Sequence, residues 1–512
     1  MHSAIFNGDH RESPDMITGR RMAAIDENAE ALGVPRKQLM ESSGNAVARG
    51  VRELVEPGST VLIVAGRGNN GGDAFVAARF LDDYDVTTIL LGHPDRIGTE
   101  ISRENWQALE SGEYDTRVVT DASQLADGSI SGSSDGSVSG SSDASVPAFS
   151  DVDLIVDAIL GTGISGELRE PAAAAAAAIN ATDTPVLAVD VPSGLDANGG
   201  KRADNGVDAD HVVTFHETKP GLEELDVEVT VADIGIPAAA ARFVGPGDVH
   251  LARPTSRDGR AFVIGGGPYT GAPALAAQAA MRAGMELAFV AAPETVSGEI
   301  QGYVEDLIVQ PYEGEVLTPD QVEGLVETAE RYDDVVILGP GLGTADETLQ
   351  ATEDFLASFS GPVVVDADAL SVVPDLETDA TLVCTPNRRE LAKMGGPEAD
   401  DLREVVDEIE AFAAELGHVV LAKGADDVIS DGERTRVNRS GTPGMAVGGT
   451  GDVLAGIVAG LLEEANPFEA ACAGAYVNGI AGERRAEVDH LGFLASELLG
   501  EIPAALWGEE DG

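Results

Sequence analysis

Two glycine-rich loops in this sequence place amides and carboxylates where an apolar run gives way to a helical one. The first lies in LIVAGRGNNGGDAFVAARF (62–80), with Asn69, Asn70 and Asp73 among its glycines. A strand that stops at such a loop and continues as a helix presents free N–H groups and the positive end of the helix. The loop is therefore predicted to hold an anion or a polar ligand.

The second loop lies in AVGGTGDVLAGIVAGLL, which starts at Ala446. Gly448, Gly449 and Gly451 let consecutive N–H groups face a developing oxyanion, and Asp452 stands in the first helical turn as a base or metal-associated carboxylate. Asp in a first turn is also a common stabilising choice, worth about 0.3–1 kcal/mol. The adjoining glycines favour the catalytic interpretation, because a carboxylate beside an anion hole can remove a proton there.

An α/β architecture must position these loops. Runs of Val, Ile and Leu alternate with alanine-rich helical stretches along the chain, which indicates parallel sheets covered by helices on both faces. Two helices are predicted over residues 17–55, before the first strand. Polar residues follow several strands, where ligands of open α/β sheets bind; these are Asp157 with the loop 161–167, Asp190, Ser193 and Lys219.

The alternation stops once and restarts, so two domains are predicted. The stretch GPGDVHLARPTSRDGR (245–260) has no apolar pattern, which places the boundary there and gives domains of residues 16–248 and 249–512. Residues 1–15 are interpreted as an N-terminal extension. The Ser/Gly/Asp tract within 121–150 is expected to be a flexible surface insertion.

Charge restricts the class of partner. The net charge of −57 excludes a surface for nucleic acid or an anionic membrane, since either needs basic patches. Such repulsion is tolerated where concentrated salt screens it, so we expect a halophilic, cytoplasmic protein. A small-molecule enzyme that forms a homo-oligomer is expected. Cys384 and Cys472 are too few for a disulfide framework and are predicted to be core residues.

Lysine is rare in this chain, so a lysine inside a motif is a candidate for function. The five lysines are Lys37, Lys201, Lys219, Lys393 and Lys423. Lys219 is the last residue of VVTFHETK, which begins as a strand-like run, and Lys423 lies in LAKGA. A cation at Lys423 suits a phosphate oxygen.

Motifs of the first half resemble, in order and spacing, the NAD(P)H-hydrate epimerase domain. They are LMESSG (39–44), GNNGGD (68–73), DAILGTGISG (157–166), VDVPSGLDANGG (189–200) and TFHETKPG (214–221). The resemblance implies a Rossmann-like three-layer sandwich that binds the hydrated cofactor. The residues implied to contact this substrate are Asn69, Asn70, Gly71, Gly72, Asp73, Gly161, Thr162, Gly163, Ile164, Ser165, Gly166, Glu167 and Asp190.

The same resemblance implies a potassium ion held by Asn70, Asp157 and Ser193. Oxygen ligands of low total charge suit a large monovalent cation. Epimerising the C6 hydroxyl of a hydrated nicotinamide needs a group that gives and takes protons. Asp190 is the candidate, with Lys219 as its charge partner or a second proton carrier.

The second half resembles ribokinase-like enzymes and, within them, the NAD(P)H-hydrate dehydratase domain. The similar motifs are GGGPYTGAPALAAQAAMRAGM, LGPGLG, VVDADAL, TPNRRE, LAKGA and GMAVGGTGD, within roughly 255–505. The resemblance implies that the substrate contacts Ala272, Gly343, Asn387 and Asp452. It implies a nucleotide site formed by Lys423, Gly424, Ala425, Asp426, Asp427, Gly448, Gly449, Thr450 and Gly451. Asn387 departs from the family's usual histidine and cannot titrate near neutral pH.

Together the resemblances imply a repair enzyme for NADHX and NADPHX, the hydrates of NADH and NADPH. One domain would interconvert the R and S hydrates, and the other would dehydrate the S form with ADP and magnesium, giving AMP and phosphate. A small-alcohol or vitamin-precursor kinase fused to a Rossmann-like partner is an alternative, as is an inactive scaffold. A serine hydrolase built on Ser193 with His211 or His216 is disfavoured, because VPSGL is not a G-x-S-x-G elbow.

Overall fold

The computed structural model of this chain describes residues 16–128, 148–163, 166–332 and 334–508. The N-terminal extension, the central part of the Ser/Gly/Asp tract, and Ile164 and Ser165 of the predicted substrate loop lie outside the described residues. Internal contacts divide the chain into two units, Met1–Pro237 and Ala238–Gly512.

The first unit begins with two helices and then alternates strands with helices. Its elements are α1 (Gly19–Ala31), α2 (Arg36–Leu54), β1 (Thr60–Ala65), α3 (Asn69–Arg79), β2 (Asp85–Leu91), α4 (Glu100–Ser111), β3 (Asp115–Val119), β4 (Leu154–Ala158), α5 (Ala172–Asn180), β5 (Val186–Val189), β6 (His211–Phe215) and β7 (Glu228–Ala232). Short 3-10 helices occupy Pro94–Arg96, Ala122–Gly128, Phe149–Asp151 and Pro220–Leu222. Both described ends of the predicted flexible tract therefore carry a helical turn.

The seven strands of this unit form one parallel sheet in the order β3-β2-β1-β4-β5-β6-β7. The central strands β1, β4 and β5 are apolar and buried because helices cover both faces of the sheet. The strand order reverses between β1 and β4, and a crevice for ligands opens at the carboxyl ends of strands at such a point.

The second unit repeats the alternation with more elements. They are α6 (Ala238–Arg242), α7 (Pro246–Ala252), β8 (Asp258–Ile264), α8 (Gly271–Arg282), β9 (Met285–Pro293), α9 (Glu294–Gln301), β10 (Ile308–Tyr312), α10 (Val322–Arg331), β11 (Val335–Leu338), α11 (Asp346–Ser358), β12 (Pro362–Val365), β13 (Thr381–Cys384), α12 (Arg388–Lys393), α13 (Val406–Leu416), β14 (Val419–Ala422), β15 (Asp427–Ser430), β16 (Thr435–Asn438), α14 (Thr450–Leu461), α15 (Pro467–Asp489), α16 (Ala495–Leu498) and α17 (Ile502–Trp507).

The second sheet has the order β10-β9-β8-β11-β12-β13-β14-β15-β16. Its strands are parallel from β10 to β14, and β15 and β16 add an antiparallel hairpin at one edge. The predicted α/β class is confirmed, while this sheet is mixed rather than wholly parallel. The strand order reverses between β8 and β11, which defines a second crevice for ligands.

Close packing of α14 on α8 fixes the helix that carries Asp452. A Cβ placed at Gly456 would lie 2.2 Å from the carbonyl oxygen of Ala276, and one at Gly460 would lie 2.6 Å from Cβ of Ala283. Larger residues at these glycines would push the two helices apart. The small-residue face of α14 therefore sets the position of the loop before it.

The stretch 245–260 is not an irregular linker, because it contains α7. Pro246 stands at the first helical position, and the backbone N–H of Gly245 donates to Asp248 at 2.9 Å. Val249 and Ala252 lie in the core of the second unit, and the division between the units falls before them. Proline at the first position and an acid three residues after the cap are helix-start signals in this segment.

Two further expectations concern burial and membranes. Cys384 and Cys472 are both buried free thiols, as predicted. Within the described residues, no helix is both long enough and apolar enough to cross a membrane.

Candidate active sites

Glycines in and next to the first loop let it lie directly against the loop after β4. A Cβ at Gly66 would lie 1.9 Å from the carbonyl oxygen of Ile159, and one at Gly71 would lie 2.1 Å from that of Gly66. Neither position accommodates a side chain. Since β1 and β4 flank the reversal in strand order, the predicted ligand loop lies at the expected crevice.

Asn70, Asp157 and Ser193 come together in one hydrogen-bonded cluster. The Asn70 amide nitrogen donates to the carbonyl oxygens of Leu160 at 3.0 Å and Val189 at 2.7 Å. The Ser193 hydroxyl donates to one carboxylate oxygen of Asp157 at 2.7 Å, and the Ser193 N–H donates to the other at 2.8 Å. The serine hydroxyl thus bonds to an aspartate rather than to a histidine, which argues against a serine hydrolase.

The oxygen atoms of this cluster fit a large monovalent cation. They include the Asp157 carboxylate, the Ser193 hydroxyl and the Leu160 carbonyl, whose oxygen lies 3.3 Å from that hydroxyl. The Asn70 amide oxygen faces Gly161, where an added Cβ would lie 2.5 Å from it. One carboxylate among neutral oxygens is the donor set expected for an ion of low charge. Asp157 and Ser193 are in direct contact, and Asn70 is connected to them through the Leu160 carbonyl oxygen.

Asp190 and Lys219 form a buried ion pair at the carboxyl ends of β5 and β6. Lys219 Nζ lies 2.8 Å from Asp190 Oδ1, and the Lys219 side chain is 1% exposed. The ammonium group also donates to the carbonyl oxygens of Phe215 and Glu217, and Thr214 donates to Asp190 at 3.1 Å. Asp190 has a φ of +67°, a left-handed conformation that non-glycine residues adopt at a cost and that clusters at functional sites.

Two further carboxylates interact with this pair electrostatically. Asp73 is buried and accepts a hydrogen bond from Ser43. Burial raises the pKa of Asp73 well above its usual range, and the charges of Asp190 and Asp26 add to this effect. Burial likewise raises the pKa of Asp26, on α1, to about 6, with the charge of Asp190 acting in the same direction. Oδ1 of Asp26 is buried without a hydrogen-bond partner among the described residues.

Hydrogen bonds anchor the N-terminal end of helix α1 to the segments that follow β5 and β6. The Ile17 N–H donates to the carbonyl oxygen of Thr218 at 2.9 Å, next to Lys219. The Gly19 N–H donates to Asn198 at 3.1 Å, and a Cβ at Gly19 would lie 3.3 Å from Thr162 of the predicted substrate loop. These contacts connect α1 both to the ion pair and to the loop after β4.

The remaining predicted contacts of the first site lie nearer the surface. Asn69 is exposed and accepts a hydrogen bond from Thr99 at 2.9 Å. Gly163, Gly166 and Glu167 are exposed. These residues border the buried cluster, where a large nucleotide could reach them.

In the second unit, two glycine-rich loops bring Ala272 and Gly343 to the same crevice. A Cβ at Gly341 would lie 2.2 Å from the carbonyl oxygen of Tyr269, and one at Gly343 would lie 2.9 Å from the ring of Pro268. The loop after β11 thus lies against the loop after β8, which leads into Ala272 on α8. These loops stand on either side of the reversal in strand order.

The second glycine loop ends at Asp452 in the first turn of α14. Gly449 precedes the helix with a φ of +105°. The pKa of Asp452 is raised to about 7, chiefly by burial and next by the charge of Asp366; Glu390 acts in the same direction and Lys423 opposes it. A carboxyl group that titrates near neutral pH is suited to accept or donate a proton.

Lys423 forms an ion pair that the sequence did not predict. Its Nζ lies 2.8 Å from Oδ1 of Asp366, which also accepts a hydrogen bond from the Thr385 hydroxyl at 2.8 Å. A Cβ at Gly451 would lie 3.0 Å from this ammonium group. The lysine thus borders the glycine loop while it is paired with a carboxylate.

The rest of the predicted nucleotide segment divides into exposed and structural residues. Gly424 and Ala425 are exposed, whereas Asp426 pairs with Arg403 at 3.0 Å. Asp427 accepts hydrogen bonds from the Gly424 N–H and from Asn438, both at 3.0 Å. The Asp427 carboxylate therefore closes the turn, and the backbone of Gly424 and Ala425 faces the solvent.

Asn387 begins α12 and forms a capping box with Glu390. Its side-chain oxygen accepts from the N–H groups of Arg389 at 2.9 Å and Glu390 at 3.1 Å, and Glu390 accepts from the Asn387 N–H at 2.8 Å. The cap uses the amide oxygen, so the amide nitrogen is the atom of this side chain that can donate to a ligand.

Comparison with known proteins follows the division into two units. Residues 36–221 match the family described as YjeF-related protein N-terminus, and residues 261–504 match the family described as NAD(P)H-hydrate dehydratase. The bifunctional NAD(P)H-hydrate repair enzyme of Methanothermobacter thermautotrophicus is 41% identical over 95% of this chain and 94% of its own length. This chain belongs to the family of bifunctional NAD(P)H-hydrate repair enzymes.

A second relative supports the same assignment. The bifunctional NAD(P)H-hydrate repair enzyme of Pyrobaculum aerophilum is 42% identical over 96% of this chain and 98% of its own length. A crystal structure of an ADP/ATP-dependent NAD(P)H-hydrate dehydratase from Bacillus subtilis, co-crystallised with ATP and Mg²⁺, is 24% identical over 52% of this chain and 98% of its own length, with a TM-score of 0.44. Each matched segment contains a lysine–aspartate pair at 2.8 Å.

Two residues at these sites were missed by sequence reasoning. Asp366 follows the buried strand β12, and its place at the end of an apolar run was a usable signal. Asp26 lies within α1 and looks like an ordinary polar helix residue. Nothing near it in the sequence reveals its interaction with Lys219, which lies far along the chain.

Proposed function

We propose that this chain repairs hydrated NADH and NADPH at two separate sites, with residues 16–248 epimerising the hydrates and residues 249–512 dehydrating the S form. One observation carries the proposal. Each unit has a reversal in strand order flanked by glycine-rich loops, and a lysine–aspartate pair at 2.8 Å follows strands of the same sheet. Membership of the bifunctional family supports the joining of both activities in one chain.

In the epimerase site, Asp190 moves the proton of the C6 hydroxyl to N1 as the C6–N1 bond breaks and an aldehyde forms at C6. N1 then adds to the opposite face of the aldehyde and the proton returns to the oxygen, which inverts C6. Lys219 stabilises the Asp190 carboxylate. Asn69 to Asp73 and the loop 161–167 hold the hydrated dinucleotide. This division is supported by the buried Asp190–Lys219 pair and by the glycine loops next to it. Burial of the pair limits the access of bulk water to the reacting carbon.

In the dehydratase site, Asp452 accepts the proton of the C6 hydroxyl as the hydroxyl oxygen attacks the terminal phosphoryl group of ADP and AMP departs. Phosphate then leaves from C6 while C5 loses a proton, and the ring double bond of the reduced nicotinamide returns. The N–H groups of Gly448 to Gly451 stabilise the charge on the transferred group. A pKa of Asp452 near 7 supports its role as the base.

Two ions complete the proposal. Asn70, Asp157 and Ser193 hold potassium, whose charge would orient the substrate's oxygen atoms. Magnesium accompanies ADP and would neutralise its phosphates. The cluster of oxygen donors around Asp157 supports the first assignment.

A mixture of R and S hydrates with ADP and Mg²⁺ tests the function. Complete recovery of absorbance at the reduced-nicotinamide band is expected, because epimerisation feeds the S form to the second site. Recovery that stops at the S fraction would remove the epimerase from the proposal. Consumption of nucleotide with a phosphorylated product and no recovered absorbance would favour the small-alcohol kinase.

A further inference from the structure

We propose that Asp366 is a positioning residue of the dehydratase site, which holds the ammonium group of Lys423 against the glycine loop that carries Asp452. This inference rests on the proposed dehydratase function. The evidence for this role of Asp366 is its contacts with residues that follow neighbouring strands, and not its sequence motif.

Three adjacent strands supply the contacts. Asp366 follows β12, Thr385 follows β13 and Lys423 follows β14, and these strands are neighbours in the sheet. The Thr385 hydroxyl and Lys423 Nζ both approach Oδ1 of Asp366 at 2.8 Å. The Asp366 side chain is 4% exposed and that of Lys423 is 19% exposed. One carboxylate oxygen of Asp366 therefore connects the residues that follow three strands, at a position largely shielded from bulk water.

The backbone of Lys423 is fixed as well. Its N–H donates to the carbonyl oxygen of Pro386 at 2.8 Å. From this position, the side chain reaches the loop before α14, where a Cβ at Gly451 would lie 3.0 Å from Nζ. Any residue larger than glycine at 451 would push against the ammonium group. Because residue 451 is glycine, the ammonium group of Lys423 can lie against this loop while it is paired with Asp366.

Electrostatics connect the same residues to the proposed base. Burial is the largest of the effects that together bring the pKa of Asp452 to about 7; the charges of Asp366 and Glu390 add to it and that of Lys423 opposes it. Burial opposes the charge on Lys423, but Asp366, Glu390 and Asp452 together outweigh that effect and raise the pKa of the lysine. Loss of the Asp366 charge removes one of the effects that raise the pKa of Asp452.

The test is the pH dependence of kcat/KM for dehydration of the S hydrate in Asp366→Asn. We expect kcat/KM at pH 8 to fall at least about tenfold because the ammonium group is no longer held. We expect the acid limb of the profile to move to lower pH by about half a unit or more. Asp368→Asn, which removes a charge from the same segment, should leave both quantities unchanged.

Asp366→Glu separates position from charge. Its charge remains while the longer side chain displaces the ammonium group, so kcat/KM should fall and the acid limb should stay in place. Wild-type activity in Asp366→Glu, or lost activity with an unshifted limb in Asp366→Asn, would overturn the inference alone. A wild-type chain without dehydratase activity would overturn the proposed function as well. Circular dichroism and denaturant unfolding of each variant report whether the second unit is folded.

Discussion

Lys219 Nζ lies 2.8 Å from Asp190 Oδ1, with 1% of the lysine side chain and 12% of the aspartate side chain exposed. Removing two charges from water costs several kcal/mol per ion, so a buried pair is weak evidence for stability alone. The chain has only five lysines, and one of them pairs with a buried aspartate whose backbone is in the left-handed conformation. This combination indicates a functional requirement for the pair. The pair is the centre of the proposed epimerase site.

Replacing Lys219 by methionine should abolish epimerisation. The change leaves Asp190 buried without its cation, which costs roughly 3–5 kcal/mol of stability in similar cases. We expect the epimerase rate to fall at least about a hundredfold, while dehydration of purified S hydrate is retained. Lys201→Met, at an exposed lysine of the same unit, is the matched control. Epimerisation within threefold of wild type, as an approximate limit, would show that the pair is structural.

The dehydratase should lose activity in acid as Asp452 becomes protonated. Its pKa of about 7 means that the basic form predominates above neutral pH, so kcat/KM should be level there and fall about tenfold per unit well below pH 7. Asp452→Asn should lack both the activity and this dependence. Asp346→Asn, at an exposed first-turn aspartate of α11, should retain the wild-type profile. A profile that stays level down to pH 5 would contradict the assignment of the base.

Asp26→Asn should stabilise the chain at alkaline pH and not in acid. Burial raises the folded-state pKa of Asp26 from 3.8 to about 6, so the folded state binds more protons than the unfolded state between these values. Stability therefore declines as pH rises through this window, by up to about 3 kcal/mol. Denaturant unfolding at pH 8 and pH 3.5 measures the difference, with the exposed Glu30→Gln on the same helix as the control. An equal effect at both pH values would contradict the burial argument.

Potassium should activate epimerisation specifically. Exchanging Na⁺ for K⁺ at constant total chloride separates this effect from general screening, and we expect the rate to rise with K⁺. In Asp157→Asn, the half-saturating K⁺ concentration should rise at least about tenfold, equivalent to about 1.4 kcal/mol of cation affinity. Asp151→Asn, at an exposed carboxylate nearby, should behave as wild type. Equal rates in both salts would exclude the proposed ion.

Most central strands were predictable because they are continuous apolar runs. β1, β4 and β5 lie in the middle of the first sheet and are buried along nearly their whole length. The edge strands β3 and β7 were missed because they are half polar, and their sequences DTRVV and EVTVA carry little apolar signal. Burial of both faces generates the pattern that sequence reasoning detects, and an edge strand lacks it.

The hairpin of β15 and β16 was missed although its turn carries a signal. Asp431 to Arg434 join the strands, and Gly432 has a φ of +89°. An Asp-Gly dipeptide between strand-forming runs is a hairpin indicator. The expectation of a wholly parallel sheet outweighed it. Attention to this dipeptide would have predicted the antiparallel edge.

Site residues at strand ends were predictable, and their partners were not. Asp190 and Asp452 stand next to glycine loops, where type and position suffice to nominate them. The pairing of Lys423 with Asp366 depends on the order of β12, β13 and β14 in the sheet, which no local pattern encodes. A lysine named from the sequence as a phosphate ligand therefore proves to be shared with a carboxylate.

The central claim is that two sites act in succession, and a pair of single variants tests it most directly. Asp190→Asn and Asp452→Asn are each incubated with mixed R and S hydrates, ADP, K⁺ and Mg²⁺, separately and then together, while reduced-nicotinamide absorbance is followed. We predict that Asp190→Asn recovers the S fraction and then slows to the spontaneous epimerisation rate, that Asp452→Asn recovers nothing, and that the mixture recovers everything. Loss of both activities in either folded variant, or a mixture no better than Asp190→Asn alone, would contradict the two-site account.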